Sequence, residues 1–166
     1  MVMPVTVIAL ELPEKVVKRL NELSKSSGKS LEELVAEAVL EYVEIRDPDT
    51  KAELHLRLCE KYLREAEDLL SKGDYVQASE KAWGAAAQIV KAVAAKRGLE
   101  LRSHGDLWKF VTKLVEETSD VELRRLWYVA NGLHVNFYEA WATPEMVRGG
   151  VEDIKQFTEK LRKLIQ

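Results

Sequence analysis

The sequence is short of cysteine, proline, amide side chains and histidine, and each shortage removes a class of function. A single cysteine, Cys59, excludes an internal disulfide and any zinc knuckle built on paired cysteines. The three histidines, His55, His104 and His134, lie far apart, and none has a second histidine or a carboxylate at a recognised ligand spacing, so no metal site is expected. No glycine-rich phosphate loop is present and no cofactor motif is found; the Arg148 to Gly150 "RGG" is expected to interrupt a helix, not to cradle a nucleotide. No apolar run approaches about 20 residues, and no basic stretch precedes the short apolar run at the N-terminus, which points to a cytoplasmic protein without a membrane partner. Positive charge gives no overall pull on nucleic acid either: 25 Lys and Arg face 28 Asp and Glu, so such binding requires a local basic patch.

What remains is a chain of 166 residues, 46% of them hydrophobic and 32% charged, with abundant Glu and Lys. That length suffices for a real core, and the composition is the bias of a heat-adapted protein. The residue pattern changes period once. "VTVIALEL", Val5 to Leu12, is rich in β-branched residues and bounded by Pro4 and Pro13, which predicts one strand. After Pro13 the pattern is helical throughout. Val16, Val17, Leu20 and Leu23 define a first helix ending at Gly28; Ser30 and Glu33 form a capping box for a second, with Leu31, Leu34, Val35, Ala38, Val39 and Tyr42 on one stripe. "RDPDT", Arg46 to Thr50, is the expected linker.

Five further helices are predicted: Lys51 to Lys72, Asp74 to Gly98, His104 to Thr118, Val121 to Trp141, and one capped by Thr143 with Pro144 at its first position. The fold class is therefore all-α, with an antiparallel up-and-down bundle over 51–166 and a strand plus two helices over 1–45.

The sixth helix contains "NGLHVNFYEAW". Trp127, Asn131, His134, Tyr138 and Trp141 recur at steps of four and three, so they share one stripe. A histidine among rings is more often a packed residue than a catalyst, and if buried it must satisfy both nitrogens. Glu80, Lys81 and Trp83 in "SEKAW" pose the same choice between a site and a solvated face beside a core residue.

The N-terminal strand, helix, "SGKS" turn and helix resemble the ribbon-helix-helix fold of small repressors, in which the strand pairs with its twin in a dimer and sends alternate side chains into the major groove. If Ile8, Leu10 and Leu12 face the core, the exposed set is Val7, Ala9 and Glu11, which offers no donor to a base or phosphate. Ser30 to Ile45 adds five glutamates and no Lys or Arg. The expectation is a homodimer joined through the strand, with DNA an unfavoured partner. A lone strand lying on its own bundle would leave backbone groups unpaired, which a second copy would satisfy.

"GDYVQASEKAWGAAAQIVKAVAA" (Gly73 to Ala95), "LRSHGDLWKFV" (Leu101 to Val111) and "LHVNFYE" (Leu133 to Glu139) resemble the archaeal PaREP family, type one. That resemblance implies a kinship with HEPN helical bundles, which include ribonuclease toxins and partners of small nucleotidyltransferases. Active HEPN ribonucleases carry an arginine, four to six intervening residues and a histidine. For His134 the arginine would stand at Trp127, Tyr128 or Val129, and it is absent; Arg125 lies eight intervening residues away. Arg97 and His104 do meet the spacing, across the break "GLELRS", and form a secondary catalytic candidate beside His134.

The sequence thus predicts a HEPN-like, non-catalytic or degenerate module that binds a nucleotide or RNA, or another protein, with Glu80, Lys81, Trp83, Asn131, His134 and Tyr138 as ligand-binding candidates. The alternatives are a HEPN-type ribonuclease and a dimeric DNA-binding regulator that uses the ribbon.

Overall fold

A computed structural model describes residues 4–166, and every regular element among them is a helix: α1 (Glu14–Ser27), α2 (Leu31–Tyr42), α3 (Pro48–Ser71), α4 (Tyr75–Lys96), α5 (His104–Thr118), α6 (Val121–Glu139) and α7 (Pro144–Arg162). The chain divides after Arg46 into two compact units.

In the first unit the expected strand is not formed. Residues 5–12 take no regular structure, and no inward and outward alternation exists, since Val7 and Ile8 are 94% and 77% exposed. The reason is backbone chemistry: an isolated extended segment has nothing to pair its N–H and C=O groups with, and no second strand is present among the described residues. Pro13 caps α1 and is not its first helical residue, and α1 buries no side chain. Ser30 caps α2 as its sequence requires, its hydroxyl accepting from the Glu33 amide at 3.1 Å.

The second unit holds the core. Its linker is shorter than "RDPDT" suggests, because Asp47 caps α3, accepting from the Thr50 amide at 2.8 Å, and Pro48 takes the first helical position. Central to the bundle is α4, whose "AWGAAAQIVKAVAA" is buried from Ala85 to Ala95. Small side chains let neighbours close in on several sides: a Cβ on Gly84 would stand 3.1 Å from the Tyr62 ring of α3. Trp127 of α6 is 1% exposed and packs against Trp83, Trp108 and Phe157, drawing α4, α5 and α7 onto α6.

Cross-helix contacts fix the directions. Asp49 meets Lys96 and Glu65 meets Lys81, so α3 and α4 are antiparallel. Glu60 meets Arg162 and Glu67 meets Lys155, so α3 and α7 are antiparallel too. The up-and-down alternation expected from the sequence fails once, at α5. His104 begins α5 beside Trp83, while Glu117 near its end holds Arg97 at 2.8 Å, so α5 runs in the same direction as α4. The seven-residue connection 97–103 permits this. Extended, it spans about 23 Å, enough to double back over the roughly 20 Å of α4 between Lys96 and Trp83.

Two further corrections concern α6 and α7. The sixth helix stops at Glu139, because Ala140 adopts a left-handed conformation (φ 49°) as its cap, and Trp141 therefore leaves the stripe. The seventh helix runs unbroken through Arg148 to Gly150. Gly150 is there for packing: a Cβ on it would come within 2.9 Å of Leu133 on α6.

Candidate functional site

Six positions on three helices bring one cluster together. On α4, Glu80, Trp83 and Lys91 lie on one face at steps of three and eight. His134 and Tyr138 lie a turn apart on α6, and His104 is the first residue of α5, set there by Ser103, whose hydroxyl accepts from the Asp106 amide at 3.1 Å.

The histidines meet in space. Their ring centroids are 5.3 Å apart, edge to face at 85°. His134 stacks on Trp83 (4.7 Å, 28°), and Trp83 in turn meets the edge of His104 at 5.5 Å. The outer side of His134 carries Tyr138 edge-on at 5.3 Å. Nδ1 of His134 donates to Oε2 of Glu80 at 2.9 Å, which fixes the ring and turns Nε2 away from the carboxylate. Nε2, and both nitrogens of His104, have no hydrogen-bond partner among the described residues.

Burial pushes the His104 imidazole below its ordinary pKa, and the neighbouring His134 and the Lys91 ammonium push in the same direction; Glu80 opposes them. His104 therefore stays neutral to lower pH than an ordinary imidazole. Lys91, 9% exposed, contributes a cation close enough to be felt at His104. Taken together, the cluster offers one neutral imidazole, one imidazole oriented by a carboxylate, a nearby lysine and an exposed phenol ring.

Sequence candidates divide accordingly. Glu80, Trp83, His104, His134 and Tyr138 come together, and Lys91, which the periodicity of an alanine-rich core helix hides, joins them. Lys81 does not: one position further round α4, it faces α3, pairing with Glu65 at 2.7 Å and lying 5.0 Å over the Tyr62 ring. The amide of Asn131 is turned back on its own helix, donating to the Trp127 carbonyl at 2.8 Å. Arg97 is held by Glu117 and covers Phe110, and it does not form the arginine and histidine pair with His104 that the spacing suggested. What the sequence could not reveal was that His104 and His134 are neighbours, since thirty positions separate them and only the doubled-back connection 97–103 joins their ends of the bundle.

A second polar bridge locks α4 to α6 beside the first. Asn136, 2% exposed, donates to the Ser79 hydroxyl at 2.9 Å and accepts from the Ala142 amide at 2.7 Å. It thereby holds the 140–142 turn and places Trp141 in a groove of about 350 Å³ between α6 and α7, on the side of α6 away from His134. Cys59, fully buried, has its thiol pushed up to about 12 by burial and is chemically inert. Among the described residues no three His, Cys, Asp or Glu side chains lie close enough to hold a metal ion, and no helix is long and apolar enough to cross a membrane.

Comparison with known proteins places these features. Residues 6–46 match the ribbon-helix-helix proteins of the copG family. A protein of Sulfolobus solfataricus, known from its crystal structure, is 30% identical with a TM-score of 0.57, over 66% of this chain and 97% of its own. No curated protein matches the sequence. Residues 54–158, most of the bundle and well over half of the chain, match the archaeal PaREP1/PaREP8 family, to which this chain therefore belongs.

Proposed function

We propose that the helical bundle is a HEPN-like nucleotide- or RNA-binding module, presented as a dimer by the N-terminal unit. One observation carries the reading: two imidazoles from different helices stand edge to face with three ring nitrogens unpartnered by protein. None of these nitrogens is among the buried atoms left without a partner, so they are open to solvent and within reach of a ligand. Imidazole N–H groups and the Lys91 ammonium suit phosphate oxygens, and Tyr138, 71% exposed, gives a base a ring to stack on.

The same arrangement supports cleavage as a capability of this site. A neutral His104 accepts the proton of a ribose 2′-hydroxyl, and His134, oriented by Glu80, returns one to the departing 5′-oxygen. The HEPN arginine has no counterpart here, so Lys91 would carry the charge of the transition state. The test is the titration of His104 and His134 by NMR with uridine 5′-monophosphate, alongside short RNA incubated in a chelator. Shifts at both rings, abolished in Glu80→Ala, support binding; unchanged rings at millimolar nucleotide reject it.

A second reading is favoured by the match of residues 6–46: a DNA-binding regulator whose ribbon forms when two copies pair. The argument that left DNA unfavoured assumed that Val7, Ala9 and Glu11 face outward, and residues 5–12 have no register in the single chain to fix that parity. Lys15, Lys18 and Arg19 are exposed on α1 and suit phosphates. Duplex binding that weakens steeply with salt and is lost in Lys15→Ala with Lys18→Ala supports this reading; salt-independent or absent binding rejects it.

A further inference from the structure

The nucleotide site described above does not end at Tyr138. We infer that it is one end of a track for single-stranded RNA along the outer side of α6, continuing to Tyr128 and Arg124; the inference rests on the nucleotide-binding reading of the bundle.

The rings form a continuous series. Tyr138 touches His134, His134 touches His104 and Trp83, Trp83 touches Trp127, Trp127 touches Trp108, and Trp108 touches Tyr128 at 5.5 Å. His104 and Trp108 are one turn apart on α5, so the two pairs that cross from α5 to α6, His104 with His134 and Trp108 with Tyr128, stand on adjacent turns. The outermost members, Tyr128 and Tyr138, are 55% and 71% exposed, and each is backed by an inner ring that holds it upright. Ten positions separate them on α6, about 15 Å along the axis, too far for one base to reach both. Two such platforms on one helix fit bases two or three nucleotides apart on one strand.

Charge points the same way. Arg124 lies one turn before Tyr128 on the same side of α6, with Arg125 beside it, and both are exposed and in no ion pair among the described residues. Lys96, Arg97, Lys155, Lys160 and Arg162 meet carboxylates, whereas Lys51, Arg64, Lys72 and Lys163 share with Arg124 and Arg125 the lack of an ion pair among the described residues; what sets the two arginines apart is the exposed Tyr128 ring one turn on. Arginines near the N-terminal end of a helix also oppose its dipole, so α6 gains nothing from them as a helix. Unpaired guanidinium groups beside exposed rings, on a chain of net charge −3, match a phosphate backbone carrying bases.

The experiment uses the full chain, a fluorescein-labelled ten-nucleotide 2′-O-methyl oligouridylate that resists cleavage, and excess unlabelled duplex DNA to occupy the N-terminal unit. Anisotropy gives the affinity, and NMR of His134 reports uridine 5′-monophosphate in parallel. Tyr128→Ala should weaken the oligomer about tenfold, with Tyr128→Phe close to the parent protein. Arg124→Ala should weaken it and flatten the salt dependence by about 0.7 in slope. The mononucleotide should bind all variants alike. Oligomer affinity within twofold of the parent in both Tyr128→Ala and Arg124→Ala, while the mononucleotide still moves His134, overturns the track, leaves the site standing and assigns the stripe to a protein partner. If neither probe binds, the nucleotide reading fails and the track with it. Both changes are at exposed positions, and an unchanged melting curve checks that folding is intact.

Discussion

The two units are built from similar amphipathic helices, and they treat their apolar sides in opposite ways. In the bundle, α4 buries nearly every residue from Ala82 to Ala95, and Ile154, Phe157 and Leu161 of α7 are fully covered. In the first unit α1 buries nothing, and Val16, Leu23, Val39, Tyr42 and Ile45 stay exposed beside Val5, Val7, Ile8, Leu10 and Leu12. The bundle closes its core within one chain; the N-terminal unit leaves its apolar side chains exposed. Stability therefore belongs to the bundle, and the proposed dimer would draw on the apolar surface that the N-terminal unit leaves uncovered.

The sharpest way to break this contrast is to damage each region separately. Trp127→Ala removes a ring shared by four helices and should cost the bundle about 3–5 kcal/mol, read by chemical denaturation. The same scan on Ile8→Asp with Leu10→Asp should show an unchanged bundle transition, because both residues are exposed in the single chain. Sedimentation should nonetheless report loss of the dimer, by about 100-fold or more in dissociation constant, since two apolar side chains are worth roughly 3–6 kcal/mol when buried. A dimer that survives this double substitution would place the association elsewhere.

Within the bundle, Asn136→Ala takes the acceptor from the Ala142 amide and leaves the Ser79 hydroxyl only its bond to the Tyr75 carbonyl, which should cost about 1–3 kcal/mol. It should also free the turn that carries Trp141, visible as a change in tryptophan fluorescence.

The smallest expected effect is a pH dependence. His104 has its folded pKa below the ordinary value of about 6.5, so the unfolded chain binds its proton more readily. Its contribution therefore favours the folded state above pH of about 6.5 and is lost as pH falls from there through the lower folded value. His104→Asn should flatten stability over that window, and Lys91→Met, by removing a cation that depresses the ring, should move the His104 titration upward. A His104 titrating above 6.5 would contradict the packing around it.

Much of this was legible in one dimension. Caps at Ser30, Asp74, Asp120 and Thr143 are local hydrogen bonds between a side chain and an amide two or three residues on, so sequence order determines them, and the Ser103 and Asp47 caps, which the sequence reading did not single out, are of the same kind. The stripe holding His134 and Tyr138 follows from the helical period, and it failed at Trp141, where a left-handed Ala140 ends the period. Lys81 was misplaced beside Glu80 because adjacent positions on a helix face different neighbours, and which neighbour matters only once α3 and α6 have docked on α4.

By itself, then, the sequence determined the helices, their caps and the apolar seams, because those depend on bonds and periodicities spanning a few residues. Tertiary structure alone decided that α5 doubles back, that His104 reaches His134 and that Lys91 lies close enough to act on the titration of His104, because those depend on which helix ends meet. The strand is the converse case: its residues have the composition of a strand, but its hydrogen bonds require a partner backbone that the described residues of one chain do not provide.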